Sequence, residues 1–145
     1  MRDILIVANL TLGGDHLWDE VRDRLDGGDV RFHVLVPASH DPLGGSWTEA
    51  QAVAEARERL EVFLARLAEL GATADGEVGD IRTVDAVLDA VRARDYDEII
   101  LSTLPQGASR WLRMDLPSRV QRAVGDVAVT HVVGQSAAGE PSATT

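Results

Sequence analysis

Short apolar runs alternate with longer amphipathic ones along the whole chain, and this alternation constrains the fold more than any other feature of the sequence. The run DILIVAN at 3–9 is apolar almost throughout, as a strand buried on both faces must be. A helical pattern follows over about 15–26, where Leu17, Val21 and Leu25 recur every four residues beside Trp18 and Gly27 marks the stop. VRFHVLVP at 30–37 reads as a second strand and ASHDPLGGS at 38–46 as a loop. A long helix is expected from Ser46, with Ser46 and Glu49 forming a capping box; Val53, Ala56, Leu60, Phe63, Leu67 and Leu70 give it one apolar stripe, and Gly71 ends it. ATADGEVGD at 72–80 reads as a weak third strand, because Asp75 and Gly76 interrupt it. A third helix covers about 83–94 with Val84, Val87, Leu88 and Val91 inward, and DEIILST at 97–103 is the fourth strand. A fourth helix has its core at 118–124, with Pro117 in its first turn and Asp115 as N-cap, and DVAVTHVV at 126–133 is the fifth strand. The small, polar tail at 134–145 is expected to be disordered.

Strands separated by helices imply an α/β fold, a doubly wound parallel sheet covered on both faces. Such sheets bind ligands beyond the C-terminal strand ends, at the point where the strand order reverses. The segments that reach this edge are 9–14, 36–40, 79–80 and the stretch LSTLPQGASRWLRMDLPSRV at 101–120. A chain of 145 residues fits one domain, expected over 2–133.

Composition removes several classes of chemistry. With no cysteine, disulfides, thiolate catalysis and cysteine-based zinc sites are excluded. All 14 basic residues are arginine, so a P-loop lysine and a Schiff-base lysine are excluded as well. The four histidines, His16, His33, His40 and His131, fall on four separate elements at no ligand spacing, and no metal site is expected. Neighbouring carboxylates such as Asp19 and Glu20, or Asp97 and Glu98, point in different directions on regular elements and read as surface charge. A net charge of −10 argues against nucleic-acid and anionic-membrane partners. No apolar run is long enough to span a bilayer and no signal peptide opens the chain, so a cytoplasmic location is expected.

The charge is uneven: residues 1–100 hold 21 acids and 10 arginines, whereas residues 101–145 hold 3 acids and 4 arginines. Those four, Arg110, Arg113, Arg119 and Arg122, lie in or just after the loop that follows the fourth strand. They give either an anion site or a solvated helix face. Glycine-based dinucleotide and Walker A patterns are absent, as is a G-x-S-x-G nucleophile elbow. Trp111 is a candidate for base stacking or for anchoring the loop, and Asn9 for contacting a base or capping a turn.

The order of elements, with ILIVAN first, a long helix ending LAELGA, EVGD leading into a short helix and then DEIILST, resembles the universal stress protein family over roughly residues 2–133. The resemblance implies a five-stranded parallel sheet in the order 3-2-1-4-5 with four helices, an adenine-nucleotide α-hydrolase-like arrangement, and a homodimer formed through the last strand at 126–133. ATP-binding members carry G-x2-G-x9-G-[ST] after the fourth strand. Here Ser102 and Pro105 stand at the first two glycines, the third falls near 114–116, and Ser118 is the nearest hydroxyl. Asn9 matches the family's adenine-contacting aspartate, and Gly79 with Asp80 matches its GD pair. Proline at 105 fixes φ and removes an N–H, so the usual phosphate cradle cannot form unchanged. A substitute would draw on side-chain hydroxyls, the Gly107 N–H and charge-assisted donation from Arg110 or Arg113.

The candidate nucleotide- or anion-binding residues are therefore Ala8, Asn9, Thr11, Val36, Gly79, Asp80, Ser102, Thr103, Gly107, Ser109, Arg110, Arg113 and Ser118; no catalytic or metal-ligating residue is assigned. The expected function is a non-catalytic regulatory or stress-response protein, with ATP or AMP as possible ligands despite the absent motif glycines. The alternatives are a ligand-free homodimer that docks an acidic protein on its Arg-rich 107–122 surface, or a small nucleotide-processing enzyme, which lacks an evident base–nucleophile set in the sequence.

Overall fold

The computed structural model describes residues 1–9, 11–38, 48–79, 83–105 and 115–134. Five strands, β1 (Arg2–Val7), β2 (Val30–Pro37), β3 (Thr73–Gly79), β4 (Glu98–Thr103) and β5 (Ala128–Val133), form one parallel sheet in the order β3-β2-β1-β4-β5. Four helices complete the described elements: α1 (Asp15–Asp26), α2 (Glu49–Glu69), α3 (Thr83–Ala93) and α4 (Leu116–Val124). Alternate residues of the central strands enter opposite cores. Ile4, Ile6, Phe32, Val34 and Ile100 pack with Trp18 and Val21 of α1 and with Leu60, Phe63 and Leu67 of α2. Leu5, Val7, Leu35, Ile99 and Leu101 pack with Val87 of α3 and with Leu116 and Val120 of α4. Burial on both faces explains why β1 and β4 read as nearly continuous apolar runs.

Local signals were displaced in several places. The N-cap of α2 is Thr48, which accepts from the Gln51 backbone N–H at 3.1 Å while the Gln51 side chain accepts from the Thr48 N–H at 3.2 Å. The box expected at Ser46 and Glu49 is thus two residues late; Ser46 itself lies outside the described residues, and Glu49 is the first helical residue. On α2 the stripe starts at Ala52 rather than Val53 and ends at Leu67, because Leu70 is the C-cap and is exposed. Asp115 does occupy the N-cap of α4, but in the left-handed region at φ 55° and without a side-chain cap bond. The tail beyond 134 lies outside the described residues.

β3 is a full strand, paired with β2 from Thr73 to Gly79. Its charges are used in cross-strand contacts. His33 on β2 places Nδ1 2.7 Å from an Asp75 oxygen and Nε2 2.8 Å from a Glu77 oxygen, so the ring bridges both acids of the edge strand. Both carboxylates are more than half exposed, which limits what the clamp contributes. His33→Leu is expected to cost about 1 kcal/mol in urea denaturation.

At the N-terminal end of the sheet the structure corrects the reading of Glu98 as surface charge. Glu98 is buried, with Arg24 of α1 donating to both its carboxylate oxygens, Thr130 donating at 2.7 Å and Arg2 at 3.3 Å. Its sequence neighbour Asp97 stays exposed and accepts the Asp3 backbone N–H at 2.7 Å.

Candidate functional site

The strand order reverses between β1 and β4, and the chain leaves both strands at the same edge of the sheet. Four polar residues are buried there: Asn9 and Thr11 just beyond β1, and Ser102 and Thr103 at the end of β4. Buried polar groups need partners, and each of these has one. Thr11 Oγ1 and Ser102 Oγ lie 2.5 Å apart, tying the β1–α1 turn to β4. That turn is closed by the Leu12 N–H donating to the Asn9 carbonyl and the Gly14 N–H to the Thr11 carbonyl, each at 3.0 Å, with Gly13 at φ 92°. A positive φ there suits glycine, which carries no Cβ penalty.

Asn9 spans further. Its Nδ2 donates to the Pro37 carbonyl at the end of β2, and its Oδ1 accepts from an Arg59 Nη of α2, both at 2.9 Å. A guanidinium on one side and a carbonyl on the other fix which way the carboxamide points. Arg59 is a residue that sequence reasoning missed. It sits one position before Leu60 of the apolar stripe, and no local pattern announces that it reaches a strand end.

Thr103 Oγ1 lies 2.8 Å from His131 Nε2 on β5, and the Thr103 carbonyl accepts the Gly134 N–H at 2.9 Å. Partial desolvation lowers the His131 imidazole pKa and so favours its neutral form. A hydroxyl beside an imidazole is the geometry of a base and a nucleophile, a pairing the sequence did not reveal. Thr103 is nevertheless buried, and no carboxylate is bonded to His131 among the described residues.

The other candidates divide into three groups. Ala8 and Val36 are core residues with their side chains turned into the α1–α2 layer, so only their backbone can face a ligand. Gly79 ends β3 and its carbonyl accepts the Ala38 N–H at 3.0 Å, which joins the second and third strand ends. Ser118 is exposed on α4 and belongs to no contact with the buried quartet. Asp80, Gly107, Ser109, Arg110, Arg113 and Trp111 lie outside the described residues. Among the described residues no cluster of three or more histidines and acids could hold a metal ion. None of the described helices is long and apolar enough to cross a membrane.

No family model and no curated protein matches the sequence. Solved structures do match in three dimensions. A universal stress protein family protein from Arabidopsis thaliana with AMP bound shares 10% identity, with 94% of each chain covered and a TM-score of 0.60. A universal stress protein family member from Burkholderia pseudomallei shares 14% identity over 90% of this chain and 95% of its own, at a TM-score of 0.56. A universal stress protein in complex with cAMP shares 15% identity over 92% of this chain and 98% of its own, at 0.54. The chain therefore has the universal stress protein fold, with the five strands in the order 3-2-1-4-5.

Proposed function

We propose that this chain is a non-catalytic, universal-stress-protein-like regulatory or stress-response protein that binds a nucleotide or another anion at the C-terminal edge of its sheet. The observation that carries the reading is the buried, hydrogen-bonded set Asn9, Thr11, Ser102 and Thr103 at the point where the strand order reverses. Polar groups are costly to bury, and the bonds of these four with one another and with Pro37, Arg59 and His131 fix the strand ends that frame this edge. Structures of the same fold with AMP and with cAMP support the ligand class. A non-catalytic role fits the burial of Thr103 and the lack of a third group orienting His131 among the described residues.

Calorimetric titration with ATP, AMP and cyclic AMP tests the proposal. Saturable heat with at least one of them is expected, and Arg110→Ala or Arg113→Ala is expected to weaken binding by about 1–3 kcal/mol, the cost of losing a charged hydrogen bond. The absence of both heat and thermal shift at millimolar nucleotide would remove the nucleotide reading, and unchanged affinity in both variants would remove the arginine substitute.

A second reading is a homodimeric interaction protein that docks an acidic partner. Arg119 and Arg122 favour it: both are exposed on α4 and make no ion pair among the described residues. β5 lies at an edge of the sheet, with no strand paired to its outer side among the described residues, and Val133 is exposed on it. Sedimentation showing only monomer would count against the dimer.

A further inference from the structure

A cleft of about 270 Å³ opens between the β1–α1 turn and α2, on the face of the sheet away from α3 and α4. Its walls are apolar and aromatic. Buried Trp18 and Phe63, with ring centroids 4.5 Å apart, line it together with buried Leu12, and Val62 lines it with 69% of its surface exposed. Two further features call for a ligand. The Trp18 indole N–H is buried with no hydrogen-bond partner, the one such side-chain atom among the described residues. The Arg66 guanidinium lies 5.0 Å from the Trp18 ring centroid and has no carboxylate partner among the described residues.

We infer that this cleft, which adjoins the nucleotide edge through Arg59 and the β1–α1 turn, is a binding site for a small aromatic or aliphatic carboxylic acid, an inference that does not rest on the nucleotide reading. The volume suits a ring or a short chain, near the lower end for small-molecule sites. The charges select the acid. Arg59 and Arg66 line the cleft with one acid, Glu58, among the described lining residues; Arg59 is engaged by Asn9, which leaves Arg66 as the guanidinium that meets a ligand. An unpaired guanidinium over an aromatic wall takes a carboxylate through two parallel N–H donors while the ligand's apolar body covers Val62 and Phe63. A neutral ligand of the same shape would gain the burial without the ion pair.

The test is a two-dimensional ¹H–¹⁵N NMR titration of the full chain with phenylacetate, with phenylacetamide as the neutral control. The Trp18 indole peak is assigned by elimination with Trp47→Phe and Trp111→Phe. A saturable shift of that peak is expected, with a dissociation constant on the order of 1 mM. Arg66→Gln should weaken phenylacetate roughly tenfold, about 1.4 kcal/mol, and leave phenylacetamide unchanged. Val62→Asp, which sets a second carboxylate at the rim, should weaken phenylacetate by a similar factor. The proposal is overturned if the Trp18 peak does not move in a saturable way, if acid and amide bind equally, or if neither variant discriminates between them.

Discussion

Glu98→Ala is expected to cost about 3–5 kcal/mol, the usual result of removing one partner from a buried ion pair. Glu98 lies at the start of β4 and Arg24 near the end of α1, so this bond fastens helix to sheet, and Thr130 and Arg2 complete the shell around the carboxylate. Truncation would leave Arg24 enclosed with Glu20 and the exposed Asp23 alone, among the described residues, to answer its charge. For a chain of this size the midpoint of thermal unfolding should fall by on the order of 10 °C. The double variant Arg24→Met, Glu98→Met should recover most of the loss, because it removes both charges and keeps the volume. A double variant as unstable as Glu98→Ala would mean that the pair itself, and not the stranded guanidinium, carries the energy. Acid should act on the same bond. Burial pushes the Glu98 carboxyl up, but the hydrogen bonds from Arg24 and Thr130 outweigh it and hold the carboxyl below its ordinary value. A folded pKa below the unfolded one contributes stability that is complete above the unfolded carboxylate range of about 4.3 and is lost as pH falls through the lower, folded value. Urea denaturation between about pH 6 and pH 3 should therefore show wild type losing stability toward acid more steeply than Glu98→Gln.

The contrast between Asp97 and Glu98 shows where the sequence stops being informative. Both stand at the head of an apolar run, and alternation along a strand puts them on opposite sides. Which side is open depends on whether a helix end arrives with a cation, and Arg24 is 74 residues away. The same holds at the candidate site. Periodicity placed the strand ends and hence Asn9, Thr11, Ser102 and Thr103 at one edge, because strand position follows from local pattern. The bonds that organise those residues, Asn9 to Arg59, Thr11 to Ser102 and Thr103 to His131, link positions 50, 91 and 28 residues apart. No spacing rule reaches that far without the strand order.

Gly76 failed as a sequence signal for a related reason, and its replacement should have the second large effect. A glycine inside a strand lowers β propensity when nothing else is known, yet here it makes room for Leu60 of α2 against β3. A Cβ at 76 would sit 2.7 Å from Leu60 Cδ1 and 2.8 Å from the Val34 carbonyl oxygen. Leu60 can rotate away at the expense of the α1–α2 core, but the Val34 carbonyl belongs to the β2 backbone that pairs with β3 and has nowhere to move. Gly76→Ala is accordingly expected to cost about 1–3 kcal/mol and Gly76→Val about 3 kcal/mol or more. A cycle with Leu60→Ala separates the two contacts. Leu60→Ala alone leaves a cavity and should cost about 2–5 kcal/mol, but combined with Gly76→Ala the added methyl occupies part of that space. The double variant should then be more stable than the sum of the single effects by about 0.5–2 kcal/mol. It should still fall short of Leu60→Ala alone, because the carbonyl contact persists. A neutral Gly76→Ala in denaturant titration would place α2 farther from β3 than the Leu60 contact requires, and a double variant as stable as Leu60→Ala would show that the sheet yields where its hydrogen-bonded ladder says it cannot.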